Sequence, residues 1–315
     1  MKQAIVAHSP PWVLFLALAS AAGVGCGSSG GGSSEISGTP ASMDFFAEPP
    51  AAGFNPMLEP DTAVATEPGV MPVDFEPADL GGWKLGAAVD ANAELGPALP
   101  ADGRRDGCGS ILTGVVRDMS QSHPDFGGDT TGLERGLVEQ TLGANGKPAL
   151  SDDFDAGFIE GPESFRQWYE TIPGVNLPFY LALYLEPDGG LYRFESHDFF
   201  PLDGAGFGGE GEDHNFYFTL ELHTRFRYDG GEVFRFSGDD DLWVFINGQL
   251  AIDLGGVHEA EDQAIALDAA AARLGIAPGN EYALDFFQAE RHVTESNFQI
   301  ETTLEFTDCG ASVLR

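Results

Sequence analysis

Three consecutive carboxylates, Asp239, Asp240 and Asp241, follow Gly238 and lead into the apolar run Leu242–Ile246. Like charges set side by side repel one another. Water relieves that repulsion at a surface corner, and a hard cation relieves it at a binding site. Ca²⁺ is the natural candidate, because it takes six to eight oxygen ligands in flexible geometry. In a regular strand neighbouring side chains point to opposite faces, so adjacent aspartates share an ion only where the backbone between them departs from the strand. A cis peptide bond would supply that departure. On these residues alone, an ion site and a solvated hairpin corner stand level.

The elements that must position the aspartates read as strands. Phe216, Phe218, Leu220, Leu222 and Phe226 share one face, while Asn215, Tyr217, Thr219, Glu221 and Arg225 share the other. That period of two predicts a half-buried antiparallel strand. Phe298, Ile300, Thr302, Leu304 and Phe306 repeat the pattern against Gln299, Glu301, Thr303 and Glu305. Leu242–Ile246 is apolar on both faces, as an interior strand would be. Turn signals stand at Asn145-Gly146, Pro187–Gly190, Asp229–Gly231 and Asn247-Gly248. Two short helices are expected. Phe165, Trp168 and Tyr169 fall at helical spacing, and the alanine-rich Leu267–Leu274 is stopped by Gly275. No βαβ rhythm links these elements, so the fold class is all-β, an antiparallel β-sandwich with minor helical decoration.

Other strings with a catalytic look lack their structural context. Gly27–Gly31 matches a nucleophile elbow but lies in a Gly/Ser stretch with no strand before it. Gly204–Gly209 matches a dinucleotide fingerprint, yet acidic residues Glu210–Asp213 follow where phosphate would need a helix N-terminus. His258-Glu259 opens a zincin-like string that ends on Asp262 instead of histidine, so it makes no zinc protease site. Trp243 could stack on a sugar, but its place within an apolar run favours the core.

The formal net charge of −35 leaves no basic patch to neutralise phosphates, which excludes nucleic acid and an anionic membrane face as partners. It suits an extracellular protein that meets divalent cations, and equally a plain solubility device. At the N-terminus, Lys2 and the short apolar core Trp12–Ala19 read as a signal peptide over residues 1–25. Cys26, preceded by Gly25 and followed by a Gly/Ser tether, is similar to a bacterial lipoprotein acceptor, although Gly23 stands where that motif prefers leucine. The other reading is cleavage after Ala21, with Cys26 a spare thiol. Lipidation would confine membrane contact to this anchor and place the chain at the cell envelope or surface; otherwise it is secreted. Residues 26–105, rich in Gly, Pro, Ala and acid, read as a flexible tether, 106–310 as the β-domain and 311–315 as a tail. Cys108 and Cys309 bracket the domain, and an even pair in an exported chain invites a disulfide. Such a bridge would close a loop of about 200 residues, worth roughly 5 kcal/mol on the chain-entropy model.

A run of ordered motifs decides further. Gly238–Asn247, Asp253–His258, Ala289–His292 and Ser296–Phe298 are joined by the earlier pieces Val116–Asp118, His123–Phe126, Gln167–Tyr169, Phe199–Asp203 and Asn215–Thr219. Together, over residues 110–307, they resemble the fibro-slime domain, which is similar to the protective-antigen-type (PA14) β-sandwich of toxins, glycosidases and adhesins. The resemblance implies Ca²⁺ held by two adjacent aspartates joined through a cis peptide, with the ion holding sugar hydroxyls. Asp239 and Asp240 take those positions, and Asn247 falls where the related modules carry the Asx of an Asx-Gly turn. Asp241 replaces the usual glycine, and would add a ligand or tighten the turn. A second loop completes the ion's shell in adhesins, which brings in Glu290 and Asn297 beside Arg291 and His292. Glu290 and Arg291 could instead pair with each other to pin the loop. His258 reads as a hydrogen-bonded loop histidine beside this set, since Ca²⁺ prefers oxygen.

The expected function is therefore a non-enzymatic cell-surface module for Ca²⁺-dependent binding of carbohydrate or extracellular matrix. A structural slime or matrix protein, with Ca²⁺ fixing loops, is the alternative. A glycoside hydrolase stands third, because it needs two carboxylates at a defined separation that no motif here signals.

Overall fold

The computed structural model describes residues 81–89 and 111–308. Cys26, Cys108 and Cys309, with the expectations of lipidation and a disulfide, lie outside the described residues, as does the signal segment. The strands are β1 (Trp83–Ala88), β2 (Ile111–Met119), β3 (Asn176–Tyr184), β4 (Glu186–Asp188), β5 (Leu191–Ser196), β6 (Phe218–Tyr228) and β7 (Val233–Gly238). They continue with β8 (Asp241–Ile246), β9 (Gln249–Leu254), β10 (Glu261–Ala266), β11 (Asn280–Glu290), β12 (Phe298–Thr302) and β13 (Glu305–Asp308). The helices are α1 (Pro162–Tyr169) and α2 (Leu267–Leu274). One sheet runs β1-β3-β2-β6-β11-β8-β9, with β13 also on β6, and the other runs β10-β7-β12-β5-β4. Every strand pair in both sheets is antiparallel.

The alternation in β6 sets the sandwich. Phe218, Leu220, Leu222 and Phe226 face inward, where they meet Leu242, Val244 and Ile246 of β8, Leu284 and Phe286 of β11, and the aromatic wall Phe194, Phe236 and Phe298 of the opposite sheet. The other face of β6 is a correction to the half-buried expectation. Tyr217, Thr219 and Glu221 are buried too, because the segment between β2 and β3 folds over the outside of the larger sheet. There Phe165, Trp168 and Tyr169 of α1 pack against Trp243 and Phe245 of β8 and Phe287 of β11, making a second apolar layer. Trp243 is thus fully buried core.

The turns divide by function. Asn247 and Gly248 have φ of 52° and 71°, the left-handed pair that a tight two-residue hairpin between β8 and β9 requires. Asp229–Gly231 closes no hairpin; it carries the chain from β6 in one sheet to β7 in the other. The final alternating run also splits. β12 pairs with β5 and β7, then the chain changes sheet and β13 pairs with β6. Residues 83–88, inside the stretch read as tether, form edge strand β1 on β3, and Trp83 packs edge-on against Phe194 and Phe199. Among the described residues, no helix is long and apolar enough to cross a membrane.

Candidate functional site

The aspartates occupy the link between the two sheets. β7 ends on Gly238 in the smaller sheet and β8 begins on Asp241 in the larger, with Asp239 and Asp240 between them, joined by a cis peptide bond. Gly238 is required here, because a Cβ would overlap the backbone carbonyl oxygen of Asn297.

Each of the three carboxylates is held by two donors, most of them backbone N–H groups. For Asp239, Oδ1 accepts the Asn297 amide N–H (2.6 Å) and Oδ2 accepts Asn297 Nδ2 (2.9 Å). For Asp240, Oδ1 accepts the amide N–H of His258 (3.2 Å) and Oδ2 that of Arg291 (3.0 Å). For Asp241, Oδ1 accepts the Gly256 amide N–H (2.6 Å) and Oδ2 accepts Arg291 Nε (2.7 Å). These donors explain how three like charges share one turn, since a carboxylate that accepts hydrogen bonds is stabilised in its charged form.

The three then separate. Asp239 and Asp240 line a pocket of about 910 Å³ together with Thr131–Leu133, His258, Glu259, His292 and Glu295. Asp241 does not line it. Its carboxylate lies on the outer face of the larger sheet against Arg291, with both side chains buried. Arg291 also donates from Nη1 to the carbonyl oxygens of Asp125 and Phe158 (2.9 Å each), and its guanidinium stands 4.9 Å over the Trp168 ring. The expectation of Asp241 as an ion ligand is therefore corrected, and so is that of Arg291 as a ligand-contacting residue. Parity is the reason: Asp241 continues the outward series of Trp243 and Phe245, while Leu242 and Val244 face the core.

Asn247 is corrected as well. It sits at the far end of β8 from the aspartates, and its Nδ2 donates to the Leu274 carbonyl (2.9 Å) at the end of α2. His258 has both ring nitrogens against backbone carbonyls, those of Glu259 (2.9 Å) and Leu254 (3.3 Å), so it touches the pocket as a hydrogen-bonded loop histidine. Asn297 lies beside the site as the clasp on Asp239, and its Oδ1 meets His197 Nδ1 (2.9 Å). His292 lines the pocket with Nδ1 near Thr294 Oγ1 (3.3 Å).

Glu290 is the buried member of the group. It is 1% exposed, with its carboxyl group set against the side chains of Ser296 and Asp240. Ala289 pairs with Asp241, so Glu290 stands level with Asp240. Burial pushes the Glu290 carboxyl well above the usual carboxylate range, reinforced by the charges of Asp240 and Asp239. Burial likewise raises Asp240 to about 7 against the pull of Arg291, and raises Asp239 against the Asn297 hydrogen bonds. Three neighbouring carboxyls whose charged forms are disfavoured together fit a hard divalent cation. Among the described residues, no three His, Cys, Asp or Glu side chains stand as a self-sufficient metal cluster. An ion here needs backbone, amide or ligand oxygens besides the aspartates, which Ca²⁺ accepts.

A second buried ionic group was not read from the sequence as one. On the outer face of the larger sheet, Arg117 Nη1 pairs with Glu221 Oε2 (2.7 Å), and Glu221 Oε1 meets Lys147 Nζ and His223 Nε2. His223 Nδ1 reaches Asp285 Oδ1 (2.7 Å). The one sequence signal was Glu221 and Arg225 alternating with the apolar face of β6, which reads as a solvated face. The Gly204–Gly209 string serves structure here. Gly206 passes so close to the Asp118 carboxylate that a Cβ would overlap it, and the Phe207 amide donates to the same group.

The described residues thus form an antiparallel β-sandwich whose acidic turn opens into a pocket. The PA14 domain model matches residues 209–312. Among curated proteins of Dictyostelium discoideum, "Protein psiQ" is 40% identical over 223 residues, covering 64% of this chain and 22% of that protein. "Protein psiD" is 37% identical over 218 residues, covering 64% of this chain and 42% of that protein. The chain thus spans between about a fifth and two fifths of these relatives. Among solved structures, the "PA14 sugar-binding domain from RTX adhesin" aligns at 10% identity and a TM-score of 0.26, over 64% of this chain and 99% of that one. An α-xylosidase from Xanthomonas citri aligns at 9% identity and a TM-score of 0.24, over 72% of this chain and 22% of that one. Likenesses that slight carry neither a ligand nor an activity across.

Proposed function

We propose that this chain is a non-enzymatic cell-surface binding or adhesion module that holds Ca²⁺ at Asp239 and Asp240 and presents it to carbohydrate or matrix hydroxyls in the end pocket. The observation that carries the reading is two adjacent carboxylates opening into one pocket, each anchored by neighbouring loops through donors that fix its orientation. Burial disfavours the charged form of both, and bound Ca²⁺ would supply the compensating charge. Glu290, behind Asp240, would add the buried oxygens, and Asn297 would keep Asp239 in place. Exported and tethered through Cys26, the module would meet its ligands outside the cell.

A glycan array probed with the full mature chain tests this. The reading expects sugar binding in Ca²⁺ that is abolished by chelator and by Asp240→Ala. Binding that ignores both treatments would refute it. A structural role for Ca²⁺ is the second reading, favoured because Asp239 and Asp240 together tie down the loops at His258, Arg291 and Asn297. Ca²⁺ binding with an empty array would select it.

A further inference from the structure

The pocket around Asp239 and Asp240 carries charges that the ion would not use. Glu259, Glu261 and Glu295 line it, and all three are exposed. Among the described residues, the Glu259 and Glu261 carboxylates have no ion pair, and no Lys or Arg lines the pocket. The neighbouring Arg291 has its guanidinium committed on the other face of the sheet, to Asp241, Asp125 and Phe158. Five lining carboxylates against one divalent ion would leave a formal charge of three negative. Behind the pair, Glu290 is 1% exposed and lies against Asp240 and Asp239, a further acidic group beneath the pocket. The lining contains no Trp, Tyr or Phe. A sugar ring would find no aromatic plate there, which leaves hydroxyl chelation and charge as the means of recognition.

We infer that the pocket ranks saccharides by charge, with amine-bearing sugars first, neutral sugars next and uronates last, and that Glu259 and Glu261 set this order. The inference rests on the carbohydrate reading proposed above and names its ligand class. An ammonium group near two rim carboxylates gains roughly threefold from each in high dielectric, so on the order of tenfold together, and a carboxylate loses as much. Salt shortens the range of these interactions and narrows the ranking.

The test titrates the Ca²⁺-loaded full chain by calorimetry with tetramers of glucosamine, N-acetylglucosamine and galacturonate, in weakly acidic buffer of low and then moderate ionic strength. The glucosamine tetramer should bind about tenfold tighter than its neutral counterpart, with galacturonate weakest and the gap closing with salt. A Glu259→Gln/Glu261→Gln variant, held at saturating Ca²⁺, should lose the amine preference and keep wild-type affinity for the neutral tetramer. Equal binding of the neutral and amine tetramers, tightest binding of galacturonate, or a preference that survives in the variant would overturn the inference and leave the carbohydrate reading standing. Failure of all three tetramers to bind Ca²⁺-loaded protein would remove both together.

Discussion

Raising the pH from 6.5 to 9.5 should remove a half-buried charge from the outer face of the larger sheet, with His223 as the group that titrates. Burial alone would lower this imidazole, but hydrogen bonds to Asp285 and Glu221 and the charges of both carboxylates outweigh it and push it up to about 9 from its ordinary 6.5. A folded-state value above the unfolded one means that the stabilisation is fully present below 6.5 and lost as pH climbs through 9. That rise of roughly two and a half decades in proton affinity is worth about 3 kcal/mol. Other groups slope the same curve. Burial depresses Lys147 against the pull of Glu221, so its contribution rises with pH in the alkaline range. Comparison with His223→Gln isolates the histidine. Urea unfolding at both pH values should show wild type ahead of the variant at pH 6.5, with the gap shrinking by about 3 kcal/mol at pH 9.5. A gap of the same size at both values would refute the reasoning, as would a ¹⁵N NMR titration placing the His223 midpoint near its ordinary value.

Four further outcomes follow from the packing and the site. Trp243→Ala, which empties the centre of the outer aromatic layer, should cost about 3–5 kcal/mol in urea unfolding. Arg291→Ala leaves Asp241 buried without its cation and should destabilise by about 3–5 kcal/mol, whereas the double replacement Asp241→Leu/Arg291→Met should recover most of that in the same assay. Asn297→Ala removes the Nδ2 donor to Asp239 Oδ2 while keeping the backbone N–H on Oδ1, and should weaken Ca²⁺ about tenfold by calorimetry. Asp241→Asn, by contrast, should leave Ca²⁺ affinity within about threefold of wild type, since its carboxylate faces Arg291 rather than the pocket.

Much of the fold was legible because the period-two pattern is a direct consequence of strand geometry. The buried strand Leu242–Ile246, the Asn247-Gly248 turn and both helices stand where side-chain spacing put them. Partner choice was less legible. The run from Phe298 to Phe306 reads as one strand because the change of sheet between β12 and β13 leaves the alternation intact. The burial of Glu221 is invisible for a similar reason: a polar residue covered by a distant segment has the same local pattern as one facing water. At the site, the family resemblance grouped Asp239 and Asp240 with the loop at 290–297, which the structure brings into hydrogen-bond contact, but it could not say which way Asp241 pointed. The parity set at Leu242 decided that, together with the arginine waiting on the outer face.

The central claim, that Asp239 and Asp240 hold Ca²⁺, is tested most directly by the melting temperature of the full chain in Ca²⁺ and in chelator, for wild type and Asp240→Asn. At Ca²⁺ about a hundredfold above its Kd, mass action adds about 2.7 kcal/mol to the folded state. For a domain of this size that raises wild-type Tm by about 5–10 °C. The account predicts that rise for wild type and none for Asp240→Asn. A wild-type Tm that is the same in Ca²⁺ and chelator, or an Asp240→Asn variant that responds as wild type does, would contradict it.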